Sequence, residues 1–217
     1  MTKHLLSGHA RFRAEYFSSE ATFLRQLADE GQRPSTLYIG CSDSRVIPEL
    51  LTSSSPGELF VVRNIANVVP GIKHPDASVG AAVDYAVQVL QVPHIIVCGH
   101  DGCGGVKAAL DGIDKVKHLP SLHEWLAEVV PAAETARKLT SDPVELLRAA
   151  VEENVLDSMN SLISFPAVER GLAAGTLAIH GWVYDLAEGL LRVYDATREE
   201  FIRAEEIVPA SRLTGAT

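Results

Sequence analysis

The chain is poor in cysteine, in positive charge and in long apolar runs, and each shortage removes a class of protein. Cysteine occurs three times in 217 residues, at 41, 98 and 103. So small and odd a count does not supply the disulfide framework of a small secreted domain, and it suits reduced thiols available to a metal. Lys and Arg number 19 against 28 Asp and Glu, for a formal net charge of -9 and a pI near 5.3. No basic stripe is left to neutralise phosphates, which argues against nucleic-acid or membrane partners. No segment approaches the roughly 20 apolar residues that span a bilayer. Residues 1–17 hold no apolar run of the signal-peptide kind, so a cytoplasmic location is expected. Repeats, low-complexity segments and linkers are also missing, and one domain over 1–217 is the expectation.

What is present is an ordinary globular balance, 47% hydrophobic and 22% charged. Apolar residues at helical spacing, Phe12, Tyr16, Phe23, Leu24 and Leu27, predict a helix over 9–29 within an N-terminal arm of 1–35. Short apolar strands are expected at 36–39, 59–62, 95–98 and 176–183, with Gly189 turning the last into a partner at 190–194. Helices are expected at 77–90, 102–110, 121–139 and 143–165, with breaks near Pro120, Pro143 and Pro166. Strands alternating with helices predict an α/β fold, its central sheet mainly parallel and flanked by helices. Residues 195–217 form a tail of no assignable role.

The first strand runs into Cys41-Ser42-Asp43-Ser44-Arg45, and the third into Gly99-His100-Asp101-Gly102-Cys103-Gly104-Gly105. In open parallel sheets ligands collect beyond the carboxyl ends of the strands. Two thiolates and an imidazole suit zinc, and three obvious protein ligands leave the fourth position of a catalytic site free for water. Thiolate donation would make that water less acidic than on a three-histidine zinc, shifting activity toward alkaline pH. Cys98 shares a strand face with His100 and stands as either a rival ligand or a packed thiol. The glycine run at 102–105 could instead cradle a phosphate, though it lacks the lysine and hydroxyl of a P-loop.

The paired motifs 41–45 and 99–105, with Phe60-Val61-Val62-Arg63-Asn64-Ile65-Ala66-Asn67, Ala81-Ala82-Val83-Asp84-Tyr85-Ala86 and His180-Gly181-Trp182-Val183-Tyr184, resemble the β-class carbonic anhydrases. The resemblance runs from the arm to about Tyr194. It implies reversible hydration of carbon dioxide to bicarbonate and a proton by zinc-bound hydroxide, with one zinc per subunit held by Cys41, His100 and Cys103. Asp43 and Arg45 would form an ion pair beside the metal, Asp43 orienting the hydroxide or, in a closed form, becoming the fourth ligand. Gln32, Val46, Phe60, Ile65 and Tyr85 would line the substrate pocket, as in the open, plant-like and cyanobacterial-like type. In members switched by bicarbonate a tryptophan, an arginine and a tyrosine hold that ion. The matching positions here are Tyr38, Arg63 and Tyr184, and Tyr38 departs from the pattern.

The resemblance further implies a homodimer or homotetramer, the arm wrapping its partner and Gln32, Phe60 and Tyr85 entering the neighbouring pocket. Two other readings stay open at this point. One keeps the scaffold and zinc but hydrolyses carbon disulfide or carbonyl sulfide. The other is a non-catalytic zinc or redox module, which would close the metal with a fourth protein ligand.

Overall fold

The computed structural model describes residues 2–72 and 76–208. The arm is helical but broken into α1 (Lys3–Ala14), α2 (Tyr16–Ser19) and α3 (Ala21–Glu30), where a single helix over 9–29 was expected. Hydroxyls compete for the backbone at the breaks: Ser18 Oγ donates to the Arg13 carbonyl and Ser19 Oγ to that of Tyr16, each at 2.9 Å. No residue of the three helices is buried, and Leu5, Leu6, Phe12, Tyr16 and Phe23 all face outward.

The body is built on β1 (Thr36–Cys41), β2 (Leu59–Asn64), β3 (His94–His100), β4 (Ala178–Tyr184), β5 (Leu191–Asp195) and β6 (Glu200–Arg203). Among the described residues these form one sheet in the order β2-β1-β3-β4-β5-β6. The first four strands run parallel, and β5 and then β6 extend the sheet antiparallel beyond β4. The α/β expectation therefore holds. β6 and the short α4 (Pro48–Thr52) carried too little pattern to be read, and residues 209–217 of the tail lie outside the described residues.

The remaining helices are α5 (Ala77–Asp84), α6 (Gly104–Asp111), α7 (Pro120–Leu126), α8 (Val130–Leu139), α9 (Pro143–Ile163), α10 (Pro166–Ala173) and α11 (Ala204–Ile207). The helix expected at 77–90 continues past α5 as a wider turn over Tyr85–Val89. The helix expected at 121–139 is instead two. Pro131 lacks an N–H, so the chain passes through a tight turn at Ala127–Val129 before α8. Pro166, expected only to end a helix, also opens α10 at a position where its missing donor costs nothing.

One sheet face carries the large core. Leu37 and Ile39 of β1 and Ile95 and Val97 of β3 pack there with Val151, Val155 and Leu162 of α9. Asp142 caps that helix by accepting from the Val144 and Glu145 amides at 3.0 Å each. Its approach depends on an absent side chain. A Cβ at Gly99 would sit 2.8 Å from Val155 Cγ2 and 3.1 Å from Val151 Cγ1, both on stiff β-branched residues. The opposite face holds a smaller cluster of Tyr38, Ile96 and Cys98 with Leu51, Val61, Trp182 and Tyr184. Beyond it His94 and His180 stand on neighbouring strands with Nδ1 and Nε2 3.3 Å apart.

Two outcomes follow from this packing. Gly99→Ala should lower unfolding free energy by about 1–3 kcal/mol in a urea titration, because α9 must back away from the sheet. His180 is pushed below its ordinary value by burial and then by His94. As pH falls through the ordinary histidine range, the unfolded chain therefore takes up a proton that the folded chain resists, and stability declines. Glu153 and Asp157, raised by burial, act in the opposite sense. Urea titrations at roughly pH 7.5 and 5.5 should therefore show a smaller acid loss for His180→Gln than for the parent chain.

Candidate metal centre

The chain leaves β1 toward β2 on one side and returns to place β3 on the other, so a crevice opens beyond the carboxyl ends of β1 and β3, where their connections part. Cys41 ends β1, and His100 ends β3. A three-residue turn brings Cys103 to the start of α6. Side-chain donor atoms of Cys41, His100 and Cys103 all lie within 4.8 Å of one another, with the two sulfurs 3.9 Å apart. All three residues are buried.

The chemistry of this set fits zinc. His100 directs Nδ1 at the Asp101 carbonyl, 3.0 Å away, which selects the tautomer carrying its proton there. Nε2 is left with its lone pair toward the sulfurs, fully buried and without a hydrogen-bond partner. A buried polar atom normally finds a partner; a cation supplies one here. The thiols make the same point. The hydrogen bond between them pulls Cys41 down and pushes Cys103 up, because one shared proton is all that two adjacent buried sulfurs can settle between them. A divalent ion would let both ionise. Cys98 is not part of this group. It packs against Tyr38 and Ile96 on the other face, and burial pushes its thiol up to about 12.

Asp43 stands at the edge of the donor set, with Oδ2 3.8 Å from His100 Nε2. Arg45 grips it by both oxygens, Nε to Oδ1 at 2.9 Å and a terminal nitrogen to Oδ2 at 2.7 Å, and adds its own amide to Oδ1 at 3.0 Å. Those bonds, the guanidinium's first, hold the carboxyl well below the usual carboxylate range. Val46 follows in the turn, buried, its amide on the Asp43 carbonyl. Arg63 of β2 secures the turn from the far side, donating to the carbonyls of Cys41 at 3.0 Å and Asp43 at 2.6 Å.

Beyond β2 the chain turns through Ile65–Asn67, where Ala66 and Asn67 take the left-handed conformation at φ 62° and 49°. Such strain persists only where neighbours impose it. Asn154 of α9 donates to the Ala66 carbonyl at 2.7 Å, Ser158 to that of Asn67 at 3.3 Å, and Trp125 to that of Ile65 at 2.8 Å. Ile65 is thereby presented to a cleft of about 480 Å³ that also borders Ser42, Arg63, Val79 and Leu122.

The remaining pocket residues read from the sequence lie elsewhere in the chain. Gln32 is exposed between α3 and β1. Phe60 pairs with Leu37 near the amino end of β1, four residues before the level of Cys41, and about 13 Å along the strand. Its ring lies 5.9 Å from that of Tyr85. The structure adds a carboxylate–arginine cluster behind His100, Asp101 with Arg192 and Glu152, that the sequence pattern does not single out. A signal for it existed: Arg192 is a lone charge within the apolar run Leu190-Leu191-Arg192-Val193.

Comparison with known proteins agrees with this geometry. The family described as carbonic anhydrase matches residues 36–191. A carbonic anhydrase of Pseudomonas aeruginosa is 39% identical over 94% of this chain and 92% of its own. The β-carbonic anhydrase CcaA superposes with a TM-score of 0.87 at 36% identity, covering 93% of this chain and 91% of that one. A tetrameric β-carbonic anhydrase of Sordaria macrospora gives 0.77 at 30% identity, over 88% and 95%. With the family model over 36–191 and these relatives over most of its length, the chain belongs to the β-class carbonic anhydrases, zinc enzymes that interconvert carbon dioxide and bicarbonate.

Proposed function

We propose that Cys41, His100 and Cys103 hold the one zinc of each chain and that Asp43 and Arg45 complete an open site. The observation that carries this reading is the orphaned Nε2 of His100, converging with two thiol sulfurs while Arg45 keeps both oxygens of Asp43. When bound, zinc acts as a Lewis acid that makes a water nucleophilic near neutral pH. Asp43 does the aiming. Its Oδ2 faces the donor set and accepts the O–H of the attacking water, leaving that oxygen's lone pair turned toward carbon dioxide. Arg45 keeps the carboxylate ionised and in place, so it does not swing in as a ligand. Val46 and Ile65 supply the apolar wall that a small apolar gas requires.

Gln32, Phe60 and Tyr85 complete the pocket of a neighbouring subunit. Their distance from this chain's own donors supports that placement, as do three N-terminal helices with no buried residue. The assembly is a homodimer or homotetramer, in keeping with the tetrameric Sordaria relative. Residues 1–217 act as one domain. The absence, among the described residues, of a helix long and apolar enough to cross a membrane, together with three unpaired cysteines, suits an enzyme of the cytoplasm. Tyr38, buried and with its hydroxyl unpartnered, and Arg63, spent on backbone carbonyls, favour the open type over one switched by bicarbonate.

Stopped-flow carbon dioxide hydration tests the assignment. The parent enzyme should work across roughly pH 6.5 to 9 and speed up toward the alkaline end. Cys103→Ala should lose both zinc and activity. Asp43→Asn should keep its zinc and lose about 10–100-fold in kcat/KM. An enzyme silent below pH 8 with a sigmoidal onset would contradict the open type, and full activity in Asp43→Asn would contradict the role given to that carboxylate.

A further inference from the structure

Arg192 is a charged side chain only 9% exposed, in the β5 strand of the sheet. Burying a guanidinium is costly unless its donors are met by charge, and here they are met twice. Two of its nitrogens reach the two oxygens of Asp101 at 2.8 and 3.0 Å, a bidentate pair. Nε reaches Oε1 of Glu152 on α9 at 3.1 Å. The residue so gripped, Asp101, is the one whose carbonyl receives His100 Nδ1. It also begins the turn from His100 to Cys103.

That turn has little else to fix it. Gly102 sits at φ 68°, and a Cβ there would meet nothing within 4 Å. Packing does not set the direction of the Asp101–Gly102 peptide. The Asp101 amide continues the β3–β4 ladder to the Tyr184 carbonyl at 2.9 Å, and the Arg192 fork holds its side chain. With both ends of the residue fixed, its carbonyl points at the imidazole.

We propose that Arg192 is a positioning residue of the metal centre: by clamping Asp101 against Glu152 it fixes the carbonyl that orients His100 and the turn that presents Cys103. This rests on the reading of Cys41, His100 and Cys103 as the zinc ligands. Outer partners of this kind set the tautomer and direction of a metal-bound histidine and contribute to metal affinity as well as to rate. Lysine cannot reproduce the two-pronged geometry.

The test is zinc affinity, measured by chelator competition on the full chain, with the visible spectrum of the cobalt(II)-substituted protein as a second readout. Arg192→Lys and Asp101→Asn keep the site polar and should fold. Each is expected to weaken zinc binding by about 10-fold, and Arg192→Gln by up to about 100-fold, with a shift in the cobalt bands. A merely structural brace would lower the unfolding midpoint of the variants and leave metal affinity and cobalt spectrum alone. Affinities within about twofold of the parent in both conservative variants would therefore overturn the inference. His100→Ala separates the two readings. If it abolishes tight zinc binding while the Arg192 and Asp101 variants do not, the clamp alone fails. If it binds zinc as the parent does, the ligand assignment fails and takes the clamp with it.

Discussion

Two cysteine sulfurs 3.9 Å apart and a histidine nitrogen with no partner, all buried, set a problem that protein atoms alone do not solve. Like charges at that separation in a dry site repel strongly, so the thiols cannot both ionise unless a cation lies between them. The fold is arranged around that requirement. The connections leaving β1 and β3 part to opposite sides and make the crevice, Gly99 lets α9 press against β3 just below His100, and α6 begins at Cys103. Loading of the metal is therefore a folding term as well as a catalytic one.

Around this centre three arginines do different work. Arg45 acts on a charge, holding both oxygens of Asp43. Arg63 acts on the backbone, holding the carbonyls of Cys41 and Asp43 and with them the turn between ligand and aspartate. Arg192 acts on the turn between His100 and Cys103, gripping the carboxylate of Asp101. Planar forks suit all three tasks, since each requires two acceptors held at a fixed angle. The left-handed turn at Ala66 and Asn67 belongs to the same design: α9 supplies Asn154 and Ser158 to hold its carbonyls, and the turn exposes Ile65 to the cleft.

Much of this was legible in the residues. Cys41, His100 and Cys103 stood out because strand ends followed by small residues mark where an open sheet places its chemistry, and the structure gathers all three. The parallel core strands were readable because burial on both faces leaves continuous apolar runs. The failures have physical causes. Hydroxyl–backbone competition divides the arm, and Pro131 divides the helix expected at 121–139, neither of which apolar spacing reveals. β6 was lost because a four-residue edge strand, Glu200–Arg203, carries charge at both ends and little alternation. The clamp on Asp101 is not readable because Asp101 and Glu152 stand 91 and 40 positions from their shared partner Arg192, and only the fold makes them neighbours.

In the open site proposed for this enzyme, the fourth position at the metal is kept for water, with Asp43 held off by Arg45. A crystal structure of the zinc-loaded protein grown at about pH 7.5, near neutrality, addresses it most directly. Cys41, His100 and Cys103 should stand on the ion, with a water in the remaining position and both oxygens of Asp43 still on Arg45. An Asp43 carboxylate bound to the metal with Arg45 released, or Cys98 among the ligands, would contradict it.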